Sequence, residues 1–238
     1  MIKTKHQNLI VLATWTCLDL SNGILAELRL PPGHIQEIED RLPYPKEVAQ
    51  DKDTMLSSEG HTINPVDICY SSRIWLLHQL NEFRREMCGA ACVNQPLEEV
   101  RHTIKGHKNS LDKSRRAMPA HLQWSEADPP ASDILAARLR AEYWAARYVV
   151  NRPCLDYALH IWKHMRNGKS VREAAIAANG RPRDEAKIRL FEAIRSLGEA
   201  EIWGSVRTCI EAAMQSTVAL DRVPAPLVVT NIHATAQA

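Results

Sequence analysis

The residues of this chain whose types are best suited to chemistry are its six cysteines and ten histidines. Cys88 and Cys92 lie four residues apart and could share one face of a helix. There is no Cys-x-x-Cys pair and no second pair to match, so a structural zinc site is not expected. We interpret the thiols as buried packing groups in a protein from a reducing compartment. The six are Cys17, Cys69, Cys88, Cys92, Cys154 and Cys209.

His160 and His164 are the histidine pair whose spacing of four would place both rings on one helical face. Two such rings could ligate a metal, but the sequence offers no evident third ligand. They fall near the predicted C-terminal end of a helix, where a histidine also complements the helix dipole. We therefore favour a structural role for the pair and predict no metal site.

Sequence motifs that bind phosphate or build a nucleophile are missing from the chain. It contains no Gly-x-Gly-x-x-Gly, no complete phosphate loop of the form Gly-x-x-x-x-Gly-Lys-Ser/Thr and no Gly-x-Ser-x-Gly. We predict no cofactor, no catalytic residue and no enzyme activity. The alternatives are a small all-α enzyme that uses His160, His164 or a cysteine, and a secreted helical protein whose first twenty residues are a signal peptide.

Positive charge is weakly patterned, and the formal net charge of +2 does not imply nucleic-acid binding. The basic cluster between Lys105 and Arg116 is interpreted as a solvated loop rather than a phosphate-binding arm. Residues 169–196 superficially resemble a helix-turn-helix. Asp184 and Glu185, however, stand where base contacts would be made. An ordinary helical hairpin is favoured, and no DNA-binding residue is predicted.

The elements that position these groups are predicted to be helices. Hydrophobic residues make up 45% of the chain and charged residues 24%, and nine glycines with few alternating β-branched runs favour helix over sheet. We predict one all-α domain over 1–238, with long loops near 36–63 and 105–131. The short apolar run after Lys5 is interpreted as part of a core helix, because it is too short to span a membrane.

The centre of the chain is a strongly patterned stretch from Ser132 to Trp162. Its apolar residues recur every three or four positions up to Val150, which predicts an amphipathic helix. Pro153 disfavours helical geometry at Arg152 and suits the first turn of a following helix. The stretch therefore predicts a helix, a sharp corner at Asn151–Arg152 and a second helix.

Four stretches of the chain, in the family's order, resemble the α-helical regulatory region of fungal transcription factors of the binuclear zinc cluster type. The central one is LRAEYWAARYVVNRPCLDYAL at 139–159, and the second is YSSRIWLLHQLNEF at 70–83. The first is ILAELRLPPGHI at 24–35. The fourth is CIEAAMQSTVALD at 209–221 with LVVTNIHATAQA at 227–238. Together they run over nearly the whole chain, which makes the resemblance fairly specific.

The resemblance implies an irregular all-α regulatory domain in a nuclear protein, which contacts the transcription machinery or a small-molecule effector. The family binds DNA through a six-cysteine zinc cluster, which is missing here, so DNA binding is not carried over. We also expect the natural fold to continue past Ala238. The implied architectural centre is a group of structural residues, with effector binding as the less favoured role: Tyr143, Arg147, Tyr148, Arg152 and Pro153.

Overall fold

The structure is a computed structural model that describes residues 10–11, 13–18, 21, 36–43, 65–88, 94–179 and 185–224. These residues form helices and connecting turns, with no strand among them, so the predicted all-α class is confirmed. None of the described helices is both long and apolar enough to cross a membrane. The resembling stretches at 24–35 and 227–238 lie outside the described residues.

The described residues form one 3-10 helix, seven α-helices and part of an N-terminal helix. Residues 10, 11, 13–18 and 21 are helical, in keeping with the predicted N-terminal helix, whose other residues lie outside the described part. A 3-10 helix, Gln36–Arg41, opens the first predicted loop. The α-helices are α1 (Pro65–Cys88), α2 (Leu97–Ala117), α3 (Ile134–His160), α4 (Trp162–Arg166), α5 (Val171–Asn179), α6 (Glu185–Arg195) and α7 (Glu199–Val218).

The chain divides into two compact units by its internal contacts. The single domain expected over 1–238 remains a prediction. The first unit comprises Met1–His78, Ser114–Glu142 and Val218–Ala238, and the second comprises Gln79–Lys113 and Tyr143–Thr217. In the first unit, Trp15, Leu18 and Ile74 form a buried cluster. The indole Nε1 of Trp15 donates a hydrogen bond to the carbonyl of Pro43 at 3.1 Å, which satisfies its polar atom within that cluster.

The core of the second unit is built on aromatic rings. The Tyr157 and Phe191 rings meet edge to face at 6.0 Å, and both side chains are about 1% exposed. Apolar residues recur at helical spacing from Ile202 to Leu220, which predicts one inner face that includes Ile210 and Thr217. That face is confirmed at Ile202, Val206 and Cys209, which are buried. The predicted inner-face residues Ile210 and Thr217 are exposed. Each residue turns a helix by about 100°, so Ile210 cannot share a face with the Cys209 beside it.

The predicted loop at 105–131 is wrong over its first half, because α2 continues to Ala117. Its buried face consists of Val100, Ile104, His107 and Leu111, which are spaced as on one face of a helix. The pattern is hard to recognise in the sequence because one of the four is a histidine and not an apolar residue. His107 fits there because its Nε2 lies 2.6 Å from a Glu86 carboxylate oxygen. The basic cluster is thus helical rather than a loop, and its Lys108 donates a hydrogen bond to the Ser205 hydroxyl at 2.7 Å.

The predicted corner at Asn151–Arg152 is also wrong, because α3 runs without interruption through Pro153. Its 27 residues span about 40 Å. Val150, Cys154 and Tyr157 are buried on both sides of the proline and keep one apolar face continuous. Burial of such side chains contributes roughly 1.5–3 kcal/mol each, which outweighs the roughly 3 kcal/mol cost of an interior proline. The helix ends instead at His160, and Ile161 separates it from α4.

Candidate functional site

Two of the five predicted site residues form a structural cluster within the second unit. Tyr143 is fully buried, and its hydroxyl donates a hydrogen bond to Asp112 Oδ1 at 3.5 Å. Arg147 Nη1 donates to that same hydroxyl at 3.4 Å and lies 4.0 Å from the Asp112 carboxylate. Its guanidinium also packs over the Trp144 ring at 5.4 Å. These contacts join α3 to α2 within the second unit.

The other three candidates do not join that cluster. Arg152 is exposed, contrary to the buried corner, and its guanidinium lies 6.0 Å from the Tyr148 ring centre. Pro153 is half-buried within α3. The backbone carbonyl of Tyr148 accepts a hydrogen bond from the Cys209 thiol at 3.6 Å. The structure therefore brings Tyr143 together with Arg147, and Tyr148 together with Arg152, but not all five around one cavity.

A better candidate lies at the C-terminal end of α3, where a concave surface of about 310 Å³ opens to solvent; we call it the aromatic cleft. Its size is at the lower end of the range for small-molecule sites. Tyr157 and Ile202 line it and are buried, and the Trp162 ring stands edge-on to Tyr157 at 6.3 Å. The lining is Tyr157, Trp162, Met165, Arg166, Arg195, Glu199 and Ile202.

The charge of the aromatic cleft comes from two exposed arginines, Arg166 and Arg195. Within the described part of the chain, neither guanidinium has a carboxylate at ion-pair distance. Glu199 lines the same cleft, so the lining carries one more positive than negative charge. Burial raises the pKa of Tyr157, although the positive charge of Arg195 opposes that effect. The phenol is therefore neutral at physiological pH and can donate a hydrogen bond.

Arg195 also lines a second concavity of about 460 Å³, beside the N-terminal end of α5. The other charged side chains there already have partners. Arg172 binds Glu185 through two hydrogen bonds of 2.8 and 2.7 Å, and Glu192 lies 3.5 Å from Arg189. Two arginines, Arg172 and Arg195, line this concavity. Since Arg195 has no such carboxylate among the described residues, it is the one of the two that is better placed to bind an added anion.

The histidine pair is not assembled into a site. His160 ends α3 and is exposed, whereas His164 is half-buried in α4. Among the residues that the structure describes, no three histidine, cysteine, aspartate or glutamate side chains are grouped to hold a metal ion.

Three buried cysteines carry thiols that resist ionisation. Burial raises the pKa of Cys69 and of Cys209 to about 11, and it also raises the pKa of Cys154. Thiolates are the reactive species in nucleophilic and redox chemistry. At neutral pH these three residues are therefore protonated packing groups.

We expect Cys69, Cys154 and Cys209 to be alkylated by iodoacetamide at least about tenfold more slowly than exposed Cys17 at pH 8, because they are buried and protonated. The folded-state pKa of Cys69 and Cys209 is raised from 9.0 to about 11, so their contribution to stability is complete below pH 9 and is lost as pH rises toward 11. Peptide mapping by mass spectrometry measures each site separately. Labelling of Cys209 as fast as Cys17 would contradict the burial.

Sequence reasoning missed Tyr157, Trp162, Arg166 and Arg195 as site residues. The one available signal was Gly198, because a glycine within a helical pattern predicts a break. It has a backbone φ of +90° and separates α6 from α7. That break allows Arg195 and Ile202 to line the same cleft. Comparison with protein-family models, curated protein sequences and solved structures found no match to this chain.

Proposed function

We propose that this chain is a non-catalytic regulatory region of a fungal transcription factor, that it acts in the nucleus, and that it responds to a small anionic effector. The resemblance of four stretches and the all-α fold support the regulatory role. One observation carries the choice of an anionic effector: Arg166 and Arg195 stand without carboxylate partners, among the described residues, beside the aromatic surface of Tyr157 and Trp162.

The chemistry of the aromatic cleft favours a ligand that is both flat and negatively charged. An arginine guanidinium presents paired donors that match a carboxylate, sulfonate or phosphate group. The rings of Tyr157 and Trp162 offer an apolar surface to the rest of such a molecule. A ligand that has only one of these two properties would leave half of the cleft unused.

Regulation is better supported than catalysis by the groups that line the cleft. A catalytic site needs a nucleophile or a general base of suitable pKa. The raised pKa of Tyr157 keeps its phenol protonated at physiological pH, so it does not act as a base there, and arginines do not exchange protons at that pH. Glu199 is a solvent-exposed carboxylate. Effector binding would then alter the contacts that the chain makes with proteins of the transcription machinery.

The proposal is tested by fusing the chain to an unrelated DNA-binding module and measuring a reporter gene in a fungal cell. We expect the fusion to enter the nucleus and to change reporter output relative to the DNA-binding module alone. The paired substitution Arg166→Gln with Arg195→Gln should remove the response to the cell's effector. Arg152→Gln is the matched control, because it neutralises an exposed arginine that does not line the cleft.

The same variants give a direct binding measurement with the fluorescent probe 1-anilinonaphthalene-8-sulfonate, an aromatic sulfonate. Loss of charge-assisted hydrogen bonds, at about 1.5–3 kcal/mol each, predicts probe affinity reduced by roughly tenfold or more in the double variant. Arg152→Gln should bind as the original chain does. Unchanged reporter output in the fusion would overturn the regulatory role. Equal probe affinity in the double variant would overturn the effector site while leaving regulation through protein contacts.

A further inference from the structure

Helix α7 has a second apolar face on its outer side. Trp203, Ile210 and Met214 are 43%, 50% and 64% exposed and lie seven and then four positions apart, so they form one line along the helix. We call these three residues the α7 outer stripe. The inner face of the helix is separate, since it is formed by Ile202, Val206 and Cys209. A line of exposed apolar side chains on one helical face is a surface that a partner helix can cover.

The charges beside the stripe are arranged in a specific way. Arg207 and Glu211 are exposed and lie four residues apart. At about 100° per residue, both fall on the same flank of the stripe, between Trp203 and Met214 along the helix axis. Among the described residues, neither side chain forms an ion pair, so both are available to a partner.

We propose that the α7 outer stripe binds the same stripe of a second copy of this chain, with the two helices antiparallel about a two-fold axis. In such an isologous interface, a residue of the first copy that contacts a given residue of the second has a counterpart in the second copy that makes the same contact to the first. The register that sets Trp203 opposite Met214 of the second copy also sets Arg207 within one residue of Glu211 of that copy. Ile210 then lies near the axis, close to its own counterpart.

The two-fold relation also keeps each flank on the same side of both helices. Arg207 of one copy and Glu211 of the other therefore meet along one edge, and the reverse pair meets along that edge as well. One register thus satisfies a sulfur–aromatic contact at each end and two ion pairs between them. Since the complementary residues all belong to α7, the occupant that fits best is a second α7.

The test is the mass of the full chain in solution, measured by sedimentation velocity and by light scattering over a range of concentrations. We expect a reversible dimer. Ile210→Arg should place positive charges near the axis and beside Arg207 of the other copy, and should therefore shift the protein to monomer, with circular dichroism unchanged. Ile176→Arg is the matched control, because Ile176 is also exposed, at 39%, but lies on α5. That variant should remain dimeric.

Exchanging the charges of Arg207 and Glu211 tests the register even if Ile210→Arg should fail to fold. Arg207→Glu alone and Glu211→Arg alone each place like charges along the edge, so each variant should dimerise at least tenfold more weakly. An equal mixture of the two variants restores opposite charges, and we expect a heterodimer to form. A wild-type chain that is monomeric throughout, or a mixture that stays monomeric, overturns the proposal. Because no effector is present in these measurements, their outcome leaves the proposed function untouched.

Discussion

Replacing Glu142 with alanine is expected to lower the free energy of unfolding by about 3–5 kcal/mol. The side chain of Glu142 is only 2% exposed, and its carboxylate accepts hydrogen bonds from the Nε atoms of Arg73 and Arg138. Those two arginine side chains are themselves only 11% and 15% exposed. Alanine would remove their shared acceptor and leave two poorly hydrated positive charges close together. All three residues belong to the first unit.

Chemical denaturation followed by circular dichroism measures this loss. Glu126→Ala provides the control, since Glu126 also binds an arginine, Arg115, at 3.0 Å but is 64% exposed. An exposed ion pair contributes at most about 1 kcal/mol, so the control should change stability by no more than that. Glu142→Gln, which keeps one carbonyl acceptor, should fall between the two. Equal losses in Glu142→Ala and Glu126→Ala would show that burial of the carboxylate does not matter.

The features that the sequence predicted correctly are those set by neighbouring residues. The sequence Asn64-Pro65 predicts a helix start, because the fixed φ and missing N–H of proline suit a first helical position, and α1 does begin at Pro65. The buried face of α7 from Ile202 to Cys209 follows directly from helical periodicity. The all-α class follows from the same kind of local information, repeated along the chain.

The features that the sequence did not predict depend on contacts between residues that are distant in the sequence. His107 interrupts the apolar stripe of α2, and it is accommodated by Glu86, which lies on α1. Arg73 and Glu142 are 69 positions apart, and no spacing rule pairs them. The aromatic cleft joins the residues from Tyr157 to Arg166 with those from Arg195 to Ile202. Such meetings are decided by tertiary packing, which a single sequence does not encode as a pattern.

The predicted corner failed for a related reason. A proline biases the backbone only by about 3 kcal/mol, and that preference is local. The buried side chains on both sides of Pro153, among them Val150, Cys154 and Tyr157, share one face only if the helix is continuous. Their combined burial exceeds the preference of one residue. The side-chain amide of Asn151 also donates to the Arg147 carbonyl at 2.8 Å, which adds a hydrogen bond within the turn before the proline.

Pro153→Ala is therefore expected to stabilise the protein, by about 1–2 kcal/mol. Alanine restores a backbone N–H that can donate to the carbonyl four residues earlier, at Val149, and removes the steric clash of the ring with that carbonyl. Two effects reduce this gain below the roughly 3 kcal/mol cost of an interior proline. Alanine leaves the unfolded chain with more conformational entropy, which lowers the free energy of unfolding by about 0.4–1 kcal/mol. The packing of the half-buried proline ring is also lost.

The measurement is again the free energy of unfolding. Substitution of a second proline provides the comparison that distinguishes a continuous α3 from one that bends at Pro153. Pro119 lies in the turn after α2, where its carbonyl accepts a hydrogen bond from the Leu122 N–H at 2.9 Å. Pro119→Ala should cost about 0.4–1 kcal/mol, since it frees the unfolded chain without completing a helix. Opposite signs for Pro153→Ala and Pro119→Ala are what a continuous α3 requires. If both substitutions destabilise the protein, Pro153 is favourable where it stands, and α3 bends there as the sequence first suggested.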